Sequence, residues 1–187
     1  MLYQNLDNRI RNKELFKKIL QAEKAADIIR DGMVIGVSGF TPSGYPKAVP
    51  LALAEKVKKA GENIKLYLHS GASLGPEIDG AWAEAKLIKK RLPYQTDNKL
   101  RNAINIGEVE YLDMHLSHSP RYLNYGALPN IDIAIVEAAG ITEKGDIIPT
   151  MGIGNTATFV RDAKHVIVEV NVRKPMELEG MADIYLT

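Results

Sequence analysis

Between Ser38 and Lys47 the chain reads Ser-Gly-Phe-Thr-Pro-Ser-Gly-Tyr-Pro-Lys, which gathers three serine or threonine hydroxyls, two glycines and one ammonium group in one loop. Glycine lets a backbone come close to a ligand, and the helix that follows offers free N–H groups and a positive dipole end to an anion. Ser38, Gly39, Phe40, Thr41, Gly44 and Lys47 are therefore the first candidate binding residues, suited to a carboxylate or a phosphate. The same residue types also build an ordinary strand-to-helix turn with a capping serine and a solvated lysine, and spacing alone does not separate the two. Gly152-Ile153-Gly154-Asn155-Thr156 is a second anion-friendly turn ahead of a helix. It adds Gly154, Asn155 and Thr156 as candidates, with Asn155 or Thr156 as the helix cap.

Sharper motifs fail. A Walker loop ends in Gly-Lys-Ser/Thr, whereas this loop ends in Pro46-Lys47-Ala48. A nucleophile elbow needs Gly-x-Ser-x-Gly, and Gly36-Val37-Ser38-Gly39-Phe40 places its second glycine one position early. Asp113, His115 and His118 resemble a metal cluster, but the two histidines, three apart, would share a face only on a helix, and this segment reads as a strand entering a loop. With no third ligand evident, no metal site is assigned. Glu137 and Glu169 stand near the ends of apolar strands, where a carboxylate is costly unless paired. Hydrogen bonding to a neighbouring loop is preferred for both over a catalytic role.

The elements that must carry these loops alternate between helix-like and strand-like patterns. Leu15, Ile19, Ala22, Ala25, Ala26 and Ile29 recur at helical spacing and stop at Asp31-Gly32. Strands are expected at 33–39, 64–70, 109–114, 131–140 and 165–171. Helices are expected at 49–61, closed by Gly61, and at 81–92, 97–107 and 119–126, with 71–80 as a loop. Continuous apolar strands separated by helices imply an open, mostly parallel α/β sheet with helices on both faces. The connection Thr142-Glu-Lys-Gly-Asp146 is too short for a crossover and predicts one antiparallel hairpin between Ile131 and Pro149. Ligands in such a sheet sit beyond the carboxyl ends of the strands, which is where both glycine-rich turns fall. Trp82 and Tyr94, Tyr111, Tyr122 and Tyr125 are assigned to the core or to an interdomain surface.

Composition narrows the classes further. Over 187 residues, Lys+Arg 24 against Asp+Glu 23 leaves a net charge of +1, mixed along the chain, with no electrostatic case for nucleic acid or an acidic membrane. The absence of cysteine excludes disulfides, thiolate metal ligands and a cysteine nucleophile. No apolar run approaches the ~20 residues of a membrane span. The first residues are polar and carry Asp7 and Glu14, unlike a signal or transit peptide, so a cytoplasmic location is expected.

At greater length the residues resemble a known family. GMVIGVSGFTPSGYPKAVPLALAE, RLPYQTDNKLRNAINIGEVEYLDMHLSH, IDIAIVEAAGITEKGDIIPT and HVIVEVNVRKPMELEGMADIY are similar, in order, to the N-terminal domain of the acetyl-CoA hydrolase/transferase family, which are class I CoA-transferases. The resemblance implies a CoA-transferase-like α/β domain over 1–187, forming the N-terminal half of a two-domain enzyme that is a homodimer at full length. It implies that a glutamate attacks an acyl-CoA thioester and passes through an acyl-glutamyl anhydride to a glutamyl-CoA thioester. That nucleophile is expected in a C-terminal catalytic domain, in cis or in trans, so no catalytic residue is assigned to this chain. The implied partners are an acyl-CoA and a small carboxylate such as acetate. Coenzyme A enters as a thioester substrate and not as a resident cofactor. Acetyl-CoA hydrolysis, or plain binding of acyl-CoA or carboxylate, are the alternatives.

Overall fold

The computed structural model describes residues 6–40 and 42–184, which form a seven-stranded sheet flanked by helices. Its strands are β1 (Val34–Val37), β2 (Leu66–Ser70), β3 (Ile88–Leu92), β4 (Glu110–Tyr111), β5 (Ile133–Ile141), β6 (Ile147–Pro149) and β7 (His165–Val170). They lie in the order β4-β3-β2-β1-β5-β6, with β7 paired to β5. Every pairing is parallel except β5 with β6. That antiparallel pair is the hairpin expected from the short 142–146 connection. Because β5 is long, β7 pairs its first half, Ile133–Glu137, and β6 pairs its second half, Ala138–Ile141.

The chain steps from β1 outward through β2, β3 and β4, then returns to lay β5 on the other side of β1. Strand order therefore reverses between β1 and β5, and such a reversal opens a crevice at the carboxyl ends. The loop that starts at Ser38 leaves β1 at that point.

Alternation along the strands sends side chains to two apolar layers. Ile35, Val37, Leu66, Leu68, Ile133 and Ile135 meet α1 (Ala22–Ala26), α2 (Ala48–Ala60), α3 (Ala81–Glu84) and α4 (Asn98–Asn105) through Ala25, Leu53, Val57, Trp82 and Leu100. Val34 and Ala134 face the other way, toward α5 (His118–Asn124) and α6 (Thr156–Asp162), where Leu123 and Phe159 pack. Helices thus cover both faces. Trp82 is fully buried and donates Nε1–H to Pro50 O at 2.9 Å, while Tyr94, Tyr111, Tyr122 and Tyr125 are exposed. No helix among the described residues is long and apolar enough to cross a membrane.

Two expected helices are corrected. The N-terminal pattern yields a 3-10 turn at Lys13–Lys18 and the short α1, separated by extended backbone at Ile19 and Gln21. The first half of that pattern buries nothing, so no packing energy holds it as a continuous helix. The segment 81–92 is a helix only to Glu84; Lys86 turns through a left-handed φ of 54°, and Ile88–Leu92 runs as β3. Leu87, Ile88 and Leu92 are buried and pair against β2, so tertiary burial overrides the helical propensity of Lys and Arg. The expected loop before it contains a π-helical turn, Pro76–Gly80, that runs straight into α3.

β3 also carries a buried charge. Arg91 and Asp79 have no exposed side-chain surface and meet in a bidentate pair, Nε to Oδ1 and NH2 to Oδ2, both at 3.0 Å. Arg91 donates a further bond to Leu92 O at 2.8 Å, and Asp79 accepts Leu74 N–H at 3.1 Å. Removing one partner strands the other charge. Asp79→Ala is expected to lower stability by about 3–5 kcal/mol in urea denaturation. The double change Asp79→Leu with Arg91→Met should cost less than either single change.

Candidate functional site

The loops beyond the carboxyl ends of β1, β2 and β6 close on one another around Ser38. Its side chain is buried, and Oγ accepts the backbone N–H of Asn155 at 2.8 Å. Gly71, just after β2, lies against the same hydroxyl, where a Cβ would come within 2.4 Å of Oγ and 2.9 Å of Asn155 N. Gly44 holds the other end of the seam: its φ is 70°, and a Cβ there would sit 2.4 Å from Gly152 O. Only glycine permits that backbone contact. Phe40 and Ser43 exchange backbone hydrogen bonds of 2.8 and 2.6 Å, making a tight reversal within the loop. Thr41 lies outside the described residues.

The remaining predicted residues fall into the same assembly but in different roles. Gly39 is buried against Ser43 O, and Gly154 lies beside the Ser38 hydroxyl and Gly39 O. Asn155 stands at the cap position of α6 without a side-chain capping bond, and Thr156 is buried. The buried Nδ2 of Asn155 has no hydrogen-bond partner among the described residues. Phe40 is 67 % exposed, the apolar tip of the loop. Lys47 folds back on its own loop: Nζ donates to Tyr45 O at 2.8 Å, lies 3.9 Å from the Tyr45 ring centroid and 3.6 Å from Glu137 Oε1.

The helix N-terminus read as an anion site is already occupied. Glu169, from β7, accepts N–H of Lys47 at 2.7 Å, Ala48 at 3.0 Å and Val49 at 2.7 Å. The free donors of the first turn of α2 therefore go to a carboxylate of this chain. Glu137, its register neighbour on β5, accepts from Thr150 Oγ1 at 2.6 Å and Asn171 Nδ2 at 2.9 Å. Both carboxylates are paired, Glu169 with the start of α2 and Glu137 with the residues that follow β6 and β7. Tyr45 is buried as well; its hydroxyl donates to Glu77 Oε2 at 2.6 Å, and burial together with that carboxylate pushes the phenol pKa up. Sequence reasoning passed over Gly71, and it placed Tyr45 and Gly152 within the two turns without assigning them a role. A Gly-Ala-Ser run directly after a strand was the available signal for the first.

The His115 and His118 rings lie 5.4 Å apart, His115 Nδ1 meets Ser117 Oγ at 2.8 Å, and among the described residues no group of three or more histidines and carboxylates is placed to hold a metal ion. Two shallow clefts of about 210 and 390 Å³ share Lys65 and Glu108, but they lie at the amino ends of the strands, away from the seam.

The model of the acetyl-CoA hydrolase/transferase N-terminal domain matches residues 3–187. The chain belongs to that family. It is 56% identical over 179 residues to a succinyl-CoA:acetate CoA-transferase of Clostridium kluyveri, covering 96% of this chain and 33% of that protein. It is 39% identical over 188 residues to an acetyl-CoA hydrolase of Saccharomyces cerevisiae, covering 96% of this chain and 35% of that one. The chain thus spans about a third of the length of these curated relatives. In fold it is similar to the apoenzyme of an acyl-CoA transferase from Escherichia coli O157:H7, with a TM-score of 0.63 over 86% of this chain and 45% of that one at 12% identity. The family domain is therefore the CoA-transferase-like α/β fold expected from the sequence.

One titratable group behind the seam gives the domain a pH signature. His69, at the end of β2, is buried with Nδ1 unpartnered among the described residues. Burial first, then the nearby Arg91 and Lys90 charges, push its pKa down to about 4. The unfolded value is about 6.5, so folding favours the neutral ring. Its contribution is complete above pH 6.5 and is lost as pH falls through that value toward 4, a total of about 3 kcal/mol. Urea midpoints at pH 7.5 and 4.5 should therefore differ less in His69→Asn than in the parent. Equal differences would show that His69 does not fold as a buried neutral ring.

Proposed function

We propose that this chain is the positioning half of a CoA-transferase, moving CoA between an acyl-CoA and a small carboxylate, with the nucleophilic glutamate outside residues 1–187. The observation that carries this reading is the seam at the switch point. It presents Ser38 and the loop to Lys47 at the end of the sheet where ligands bind, while Glu137 and Glu169 are consumed in hydrogen bonds that hold it. Neither glutamate is free to attack a thioester. The likeness to a succinyl-CoA:acetate CoA-transferase supports a short dicarboxylic or acetic acyl group. Homodimeric assembly and a cytoplasmic location belong to the same proposal.

In this reading the external glutamate adds to the thioester carbonyl and CoA thiolate leaves, giving an acyl-glutamyl anhydride. The thiolate then attacks the glutamyl carbonyl and releases the first carboxylate. The acceptor carboxylate reverses the two steps and leaves as the new thioester. Ser38, Gly39 and the following loop contribute a fixed polar wall to the carboxylate side, with Gly154 and Asn155 behind it. Ser38 Oγ uses a lone pair on Asn155 N–H, which leaves its own O–H to donate to a carboxylate or a developing oxyanion.

The likeness to an acetyl-CoA hydrolase favours a second reading, with water in place of the acceptor. Release of free CoA at equal rates with and without acetate selects hydrolysis; dependence on acetate selects transfer. For the primary reading, the natural full-length polypeptide should transfer CoA from succinyl-CoA to acetate, and residues 1–187 alone should show no turnover. Robust transfer by residues 1–187 alone would overturn it. Ser38→Ala in the full-length polypeptide should lower kcat/KM by roughly 5- to 150-fold, the loss of one hydrogen bond to a charged acceptor. The same change leaves Asn155 N–H without its acceptor, so melting temperature should also fall. Lowered melting with unchanged kinetics, measured well below the transition, would make Ser38 structural.

A further inference from the structure

Helices are ordinarily capped by a residue at their own start, yet Lys47, at the cap position of α2, makes no side-chain capping bond. The first-turn donors are instead answered by Glu169, which is 122 residues away from Lys47 in sequence and sits on β7. A local serine or aspartate would satisfy the same N–H groups without tying the helix to the sheet. A carboxylate reaching from β7 fixes where α2 starts relative to that strand, through charge-assisted bonds roughly twice as strong as neutral ones. Glu137 on β5 draws the Lys47 ammonium to 3.6 Å from the neighbouring strand. Lys47 is thus held at its backbone from β7 and at its side chain from β5. The far end of the loop is held by the bond from Asn155 N–H to Ser38. The loop is thus held at both ends.

We infer that Glu169 is a positioning residue for the proposed transfer, holding the Ser38–Lys47 loop in its working geometry through the first turn of α2. The inference rests on the transferase reading for its kinetic consequence but not for its structural one. It also means that the start of α2 is closed to substrate: an anion entering the cleft meets Ser38 and not the α2 dipole.

Two variants test it. Glu169→Ala removes the acceptor, and Glu169→Gln keeps the shape and one acceptor oxygen, so it remains informative where the alanine variant folds poorly. Amide hydrogen exchange should rise about tenfold or more from Ser38 through Tyr45 as well as at Lys47–Val49. In the natural full-length polypeptide kcat should fall roughly 10- to 100-fold in Glu169→Ala, with KM for the acyl-CoA little changed, because displaced groups cost rate more than binding. Glu169→Gln should fall between the alanine variant and the parent. Formate, a free carboxylate able to occupy the vacated helix start, should raise the alanine-to-parent ratio of kcat. Exchange that increases only at Lys47–Val49, or formate that restores melting temperature without restoring the kcat ratio, would overturn the positioning role. If the unmodified polypeptide neither transfers CoA nor hydrolyses the thioester, the proposed function fails, and the exchange map alone decides the inference.

Discussion

Two carboxylates stand in register at the carboxyl ends of β5 and β7, Glu137 beside Glu169, in strands otherwise built from apolar residues. Like charges this close repel, and partial burial removes the water that would screen them. Each is tolerable because a different donor set answers it. Glu169 takes the N–H groups that open α2, and Glu137 takes Thr150, Asn171 and the Lys47 ammonium. Those donors come from the loop after β1, the segment after β6 and the exit of β7. Electrostatic relief of one pair therefore ties three segments together at the carboxyl end of the sheet.

The same economy explains the glycines and buried polar groups nearby. With the loop pinned at Lys47 by two carboxylates and at Ser38 by the Asn155 N–H, Gly44 packs backbone to backbone against Gly152 and leaves no room for a side chain. Tyr45 then turns inward under the loop and reaches Glu77, while Asp79, in the same π-helical turn, neutralises Arg91 beneath. The turn at Pro76–Gly80 is thus a hub of polar contacts from three directions. A buried charge pair is weak evidence for stability by itself. Its geometric role is clearer: it ties the start of α3 to β3, the strand that sequence periodicity misreads as helix.

Much of this architecture is legible in the residues. The strands at β1, β2, β5 and β7, the hairpin at 142–146 and the close of α2 at Gly61 follow from apolar runs and turn chemistry. β3 is not legible, because Ile-Lys-Lys-Arg-Leu carries three cations in five positions and only pairing with β2 makes it a strand. The N-terminal helix misleads in the opposite sense, since its spacing is good but half of it has nothing to pack against. The candidate residues around Ser38 do lie at the carboxyl end of β1. What they do not reveal is that the attractive helix N-terminus is filled by Glu169, a contact 120–122 residues long in sequence. Local pattern reading sees the donors and cannot see an acceptor that arrives from another strand.

That hidden acceptor also bears on how a domain can serve covalent chemistry without supplying the nucleophile. Glu169 and Glu137 hold contacts whose loss would release the segments they join. In the proposed transfer, a wall built on these fixed carboxylates pairs naturally with a nucleophile carried on a separate element. The wall then stays still while the reacting glutamate changes its bonding. Dividing the labour in this way lets the positioning residues be selected for rigidity alone.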